Sequence, residues 1–236
     1  MPEAIIITPV KDSLETTKLT VDAVSKSIGD FEYYVFNDFS GSETKKYLES
    51  IKEKYSFQLI HLENLTATPS PNYKLVLKKA QEMALQKGCP LVIIESDVVI
   101  QPDTISNLIS ISKEKTKPGI VGAITVDKNG EYNFPYTFEK TKSDEIIITS
   151  HSLSFCCTLL TTEFMQRFDF ELLSQKKDWF DVYISRQSKK LGFYNYLAKG
   201  TEVLHLPHSS RPWKNLKYTN PILYYIKKYF KKRDRI

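Results

Sequence analysis

The chain has 236 residues, of which 41% are hydrophobic and 26% charged, which suits one α/β domain and excludes collagenous and disordered classes. Its formal net charge is +5, but nine basic residues and one acid fall between Arg211 and Ile236, leaving a mildly acidic body for which no nucleic-acid partner is expected. Cys89, Cys156 and Cys157 cannot make a disulfide framework and lack zinc spacing, so they read as buried, reduced thiols of a cytoplasmic protein.

The start of the chain, Met1-Pro2-Glu3-Ala4, enters an apolar run without a basic segment, so no secretory signal is expected. No apolar segment reaches the roughly 18 to 20 residues that span a bilayer, and the Asn64-Leu65-Thr66 sequon is expected to be unused. Residues 4–10 are a continuous Ile-rich run, the pattern of a strand buried on both faces of a parallel sheet. A helix is predicted over 13–28 from the stripe of Leu14, Val21, Val24 and Ile28. Strands over 32–36 and 57–62 flank a charged amphipathic helix over 43–55. After a Pro-interrupted loop (66–72), a helix over 73–87 ends at Gly88, an apolar strand covers 90–94, and a helix runs over 103–113. A fifth strand covers 119–126.

The remainder is less regular. Strands are predicted over 146–149 and 155–160, a helix over 162–167, and a helix over 179–191 stopped by Gly192. Separate strands over 193–196 and 201–206 close the pattern. Repeated β-α-β units imply a mostly parallel central sheet with helices on both faces, and ligands in such sheets bind beyond the carboxyl ends of the strands. Chemistry is therefore sought at 8–12, 37–42, 64–72 and 95–99.

No G-x-G-x-x-G or P-loop motif occurs, so a ligand must be held by a route other than glycine-lined amides, and the candidate is carboxylates plus a metal. Glu95-Ser96-Asp97 ends the fourth strand, and alternate residues of an extended chain point the same way, so the two acids can converge on Mg2+ or Mn2+. The same acids serve equally as turn formers or helix caps. Asn37-Asp38 before Phe39-Ser40-Gly41-Ser42 can bind a base or ribose, or form an Asx turn. His205 and His208 leave a late strand beside Ser209-Ser210-Arg211 and can supply an imidazole ligand, or be structural. Asp178 and Asp181 bracket Trp179-Phe180, as helix caps or as acids beside flat rings that suit a sugar.

In this order the motifs resemble a family 2 glycosyltransferase, the inverting type with the GT-A (Rossmann-like) fold, from about Ile5 to Ser210. Ile7-Thr8-Pro9-Val10 is similar to the family's opening strand and nucleotide loop, and Asn37-Asp38-Phe39-Ser40 to its Asp-Asp-x-Ser turn. Lys74 stands where a basic or polar residue meets the donor, and Glu95-Ser96-Asp97 is similar to the D-x-D motif. Phe155 to Phe164 resembles the acceptor side, and Phe168-Asp169 the family's Phe-Asp pair. Phe180-Asp181 lies where the family carries Glu-Asp. The family's next acid and Arg are here Tyr183 and Gln187, so Asp178 remains the alternative base.

The resemblance implies a single GT-A-like domain over 1–210, with a nucleotide-sugar half over about 1–126 and an acceptor half over 127–210, followed by a basic amphipathic tail over 211–236. It implies transfer of a sugar from a nucleotide diphosphate sugar to a hydroxyl of a saccharide or lipid-linked acceptor, in polysaccharide or glycolipid synthesis. Asp181 would be the base, and Asp97 with His205 (alternatively His208) would hold Mn2+ or Mg2+. Thr8, Pro9, Val10, Asp38, Lys74, Glu95 and Ser96 would contact the donor. The basic, aromatic tail suits an anionic membrane surface, which would make the protein peripheral at the inner face, or it packs on the body. A sugar-nucleotide nucleotidyltransferase and a non-catalytic binding module are the rival functions.

Overall fold

The computed structural model describes residues 1–174, 179–207, 222–223 and 225–226. The chain opens with β1 (Ala4–Val10), α1 (Leu14–Ser25), β2 (Phe31–Asn37), α2 (Ser42–Ile51), β3 (Gln58–His61), α3 (Tyr73–Lys87) and β4 (Leu91–Ile94). β1, β2, β3 and β4 pair in parallel in the order β3-β2-β1-β4. Period-two alternation splits their side chains between two cores. Ala4, Ile6, Val92 and Ile94 face one side with α1, α2 and α4 (Thr104–Glu114), while Ile5, Ile7, Leu91 and Ile93 face the other with α3. Gly88 ends α3 in the left-handed region at φ 66°, which a residue without a Cβ adopts at no steric cost.

The rest of the sheet comprises β5 (Val98–Val99), β6 (Pro118–Val126), β7 (Ile146–Ile148), β8 (Cys157–Leu160) and β9 (Tyr194–His205). The full order is β3-β2-β1-β4-β8-β6-β9-β5, with β7 also on β9. β8 runs antiparallel between β4 and β6 and starts at the edge where β4 ends, Ile94 facing Cys157. Two further helices, α5 (Thr162–Arg167) and α6 (Phe180–Lys190), cover the α3 side through Phe164, Met165, Phe180 and Ile184.

Two local expectations change. The strands predicted over 193–196 and 201–206 are one strand, β9, bulged where Ala123 pairs with Ala198 but Ile124 pairs with Glu202. The extra residues turn Lys199 inward, where its Nζ meets Glu139 at 3.1 Å. Glu95-Ser96-Asp97 is a turn rather than extended chain, closed by the Val98 N–H donating to the Glu95 carbonyl at 3.1 Å. A strand buried on both faces must turn before it can present a carboxylate beyond the sheet.

The chain divides into two units, Met1–Leu206 and Pro207–Ile236. Of the second, Ile222, Leu223, Tyr225 and Ile226 are helical, and the rest of the basic tail lies outside the described residues. Among the described residues no helix is long and apolar enough to cross a membrane.

Candidate active site

The carboxyl ends of β1, β2 and β4 lie side by side because the three strands are parallel neighbours, bringing Thr8–Val10, Asn37–Asp38 and Glu95–Asp97 to one edge. At this edge the Thr8 hydroxyl accepts from Tyr33 Oη at 2.9 Å inside the core, and Val10 is buried, so these residues offer backbone and wall; Pro9 is half-buried. The β1 and β2 loops are tied together. The Gly41 N–H donates to Asp12 Oδ1 at 2.5 Å, and Lys11 donates to the Phe39 carbonyl. Asp12 and Phe39 both sit at positive φ, 53° and 55°, strain that such cross-bracing sustains.

Asn37 takes the Asx-turn role, its side-chain oxygen accepting from the Ser40 N–H at 3.2 Å. Asp38 is buried and engaged: its carboxylate accepts from Ser70 Oγ, the Asn72 N–H and Asn72 Nδ2, each at 2.8 Å. These bonds clamp the Pro-interrupted loop against the edge. Lys74 is engaged by the segment after α5, its Nζ donating to the Glu171 carbonyl at 2.8 Å.

The centre of the site is set by strand register. β9 exchanges β7 for β5 as its neighbour at the bulge, and its last residues pair Leu204 with Val99 and His205 with Val98. His205 thereby reaches Asp97, with Nε2 3.5 Å from Oδ2, and the Leu206 N–H donates to the Asp97 carbonyl at 2.8 Å. Asp97 is fully buried and Ser96 nearly so. A residue without a predicted role, Cys156, fills the middle. Its Sγ lies 3.9 Å from Glu95 Oε2 and 4.0 Å from His205 Nε2. Cys156 stands opposite Glu95 because β8 pairs with β4, and only that long-range pairing marks it; its sequence neighbourhood reads as plain core.

Asp181 begins α6, where its Oδ1 accepts from the Val182 N–H at 2.8 Å. Burial drives the pKa of the Tyr136 hydroxyl far above the usual tyrosine value, and Cys156 and Asp181 add to the effect. That hydroxyl accepts from the Ser154 N–H at 3.1 Å. Ser154 Oγ in turn lies 3.3 Å from Cys156 Sγ. Glu95 and His205 thus flank Cys156, and Ser154 links Cys156 to Tyr136. Asp178 and His208 lie outside the described residues.

The electrostatics bear on a cation. His205 Nδ1 is 2.7 Å from the Phe134 carbonyl, an acceptor only, so Nδ1 carries a proton and Nε2 is the ring nitrogen that faces Asp97. Burial lowers the ring's pKa, but Cys156 and Asp97 outweigh it and raise the value to about 11. Burial also pushes the Cys156 thiol up, so at neutral pH the Asp97 carboxylate is the charge responsible. A divalent cation would take the place of that Nε2 proton. The donor set, one hard carboxylate and one imidazole of fixed tautomer, fits Mn2+ or Mg2+. Among the described residues no three His, Cys, Asp or Glu side chains form a closed cluster, so substrate phosphate and water would supply the other ligands.

The family model described as glycosyl transferase family 2 matches residues 5–168. The chain belongs to glycosyl transferase family 2. The matched span holds the Asp38 and Asp97 turns, and Asp181 and His205 lie beyond it. No curated protein matches the sequence. Among solved structures, this family 2 chain is similar to the mannosyltransferase PcManGT from Pyrobaculum calidifontis in complex with GDP-Man and Mn2+. The identity is 12% and the TM-score 0.66, over 100% of this chain and 65% of that one. It is also similar to S. aureus TarS (14% identity, TM-score 0.61, 86% of this chain and 60% of that one). GalNAc-T7 with UDP, GalNAc and Mn2+ is a third (15%, 0.61, 89% and 45%). The family 2 chain spans less than two thirds of each of these proteins. At such identities the likeness is one of fold, and that fold is GT-A.

Proposed function

We propose that the protein is an inverting, metal-assisted glycosyltransferase, moving a sugar from a nucleotide diphosphate sugar to an acceptor hydroxyl in polysaccharide or glycolipid synthesis. The observation that carries the reading is the apposition of Asp97 and His205, 108 residues apart in sequence but 3.5 Å apart at the carboxyl edge of the sheet. The presence of GDP-Man and Mn2+ in one similar structure, and of UDP, GalNAc and Mn2+ in another, supports a nucleotide-sugar donor and a metal.

The chemistry is one in-line displacement. The acceptor oxygen forms a bond to the anomeric carbon as the bond from that carbon to the diphosphate breaks, so configuration inverts. Asp181 removes the acceptor proton, its carboxylate held at the start of α6 by the Val182 N–H. Asp97 and His205 would hold a divalent cation, which would supply positive charge for a diphosphate. The ends of β1 and β2 and the loop that Asp38 clamps form the nucleotide wall, and Glu95 and Ser96 line the turn beneath the diphosphate. No covalent nucleophile is needed.

The test is a thermal-shift panel of UDP, GDP and TDP with and without Mn2+, followed by product-release assays over sugar nucleotides. Metal-dependent stabilisation by a nucleoside diphosphate is expected, and Asp97→Asn should remove its metal-dependent part. Asp181→Asn is expected to abolish transfer while donor binding stays within a few-fold. Preference for nucleoside triphosphates would instead identify a nucleotidyltransferase, and lost donor binding with surviving transfer would remove Asp181 from its role.

A further inference from the structure

We propose, resting on the transferase reading above, that His61 is a positioning residue of the nucleotide wall: its imidazole fixes the Asn37 amide and, with it, the β2 turn that the donor nucleotide meets. The two residues end neighbouring parallel strands in register, Asn37 of β2 beside His61 of β3. Asn37 is fully buried and the His61 side chain is only 10% exposed, so their polar groups must satisfy each other. The hydrogen bonds admit one assignment. The Ser40 N–H can only donate, and it meets Asn37 Oδ1 at 3.2 Å, so Nδ2 is the amide atom that faces His61 Nδ1 at 2.8 Å. An amide nitrogen only donates, so Nδ1 is the lone-pair nitrogen of the ring. The ring proton then sits on Nε2, which donates to Glu49 Oε1 at 2.7 Å. Glu49 of α2 and His61 of β3 thereby set which way the Asn37 amide points. The amide in turn holds Ser40, whose Oγ accepts from the Asp12 N–H at 3.1 Å across to the β1 loop.

This network gives a reason for Asn, rather than Asp, at the first position of the turn. A carboxylate there would have no N–H to offer the Nδ1 lone pair, so Asn37, His61 and Glu49 form a matched set. A second proton on the ring ends the arrangement. With both ring nitrogens protonated, Nδ1–H confronts the Asn37 Nδ2 donors, and the amide must rotate, taking Oδ1 away from Ser40. Among the described residues the charged groups around the ring are Glu49, paired with Lys52 at 3.0 Å, and, two residues on, Glu63, paired with Lys45. His61 and Lys52 hold the Glu49 carboxyl below the usual carboxylate range, and Lys45 does the same for Glu63. Both acids therefore stay ionised over about pH 5 to 8, the range in which imidazoles as a class change charge.

The test compares wild type, His61→Leu and His61→Gln for binding of UDP and GDP over about pH 5 to 8. Glutamine offers one acceptor and one donor in place of the ring's pair, and it does not titrate. At about pH 8, His61→Leu should bind nucleotide about three- to tenfold more weakly than wild type, the range for one hydrogen bond, and His61→Gln should recover most of that loss. On acidification wild type should lose affinity relative to His61→Gln, a comparison that cancels protonation at Asp97 and His205 because the two proteins share them. Hydrogen exchange of the Ser40 amide should be fast in His61→Leu and slow in the other two proteins at about pH 8. Affinity unchanged in His61→Leu, or wild type and His61→Gln falling in parallel with pH, overturns the positioning role. A wild type that binds no nucleotide overturns the transferase reading, and Ser40 exchange then decides the role of His61 separately. Fast exchange confined to His61→Leu sustains that role, and equal exchange in all three proteins overturns it.

Discussion

At the level of single residues, the two acids nearest the nucleotide wall act as clamps. Asp38 accepts three hydrogen bonds from Ser70 and Asn72 while buried. Asp38→Ala leaves those donors without their acceptor, and a loss of about 1–3 kcal/mol is expected, read as a lower urea midpoint with a loosened 66–72 loop. Asp12 works at the surface. Partial burial opposes its ionisation, but Lys11 and the Gly41 N–H outweigh this and lower its pKa. A carboxylate with a depressed folded pKa adds stability above its unfolded value, and the gain is lost as pH falls through the folded one. Wild type should therefore exceed Asp12→Asn in urea midpoint at neutral pH, and the gap should close as acid protonates the carboxylate. An unchanged gap in acid would show that the Asp12 charge is not what braces the loops. Asn37 and Asp38 were legible as turn formers or ligands; Asn72, the partner of Asp38 from 34 residues on, was not, since nothing local links the two.

At the level of elements, β9 and α6 decide the site. The β9 bulge, with Lys199 on Glu139, fixes where His205 emerges, and α6 sets Asp181. α6 packs on β6 at Gly119, where an added Cβ would stand 2.1 Å from Ser188 Oγ and 2.7 Å from Phe193 Cβ. Gly119→Ala must push the helix outward, at a cost of about 1–3 kcal/mol. Transfer should fall more than nucleotide binding, because the displaced helix carries Asp181, the proposed base, while β1, β2 and β4 stay in place. A thermal midpoint equal to wild type would refute the close contact. The helices and strands of the first half were readable from apolar periodicity. β9 was not readable as one strand because Lys199-Gly200-Thr201 resembles a break, and a bulge is a property of strand pairing rather than of composition.

At the level of the whole molecule, charge and fold are separable. The body unit, Met1–Leu206, carries the GT-A sheet and the site, whereas the basic surplus belongs to residues 211–236. We propose that this tail binds anionic membrane surface, bringing the site to lipid-linked acceptors. The full chain should float with phosphatidylserine vesicles at low salt, less at high salt, and a chain ending at Asn220 should not; equal flotation of both would remove the tail from that role.

The sequence alone determined which segments are buried on two faces, about where β1 to β4 end, and that carboxylates gather at the carboxyl edge. Periods of 2 and 3.6 report burial residue by residue, and turn residues mark the ends. Only the tertiary structure decided that His205 meets Asp97, that Cys156 lies between Glu95 and His205, and that Asp38 and Lys74 turn to other partners. Those contacts depend on which strand lies beside which and in what register, and pairing between segments a hundred residues apart leaves no local pattern.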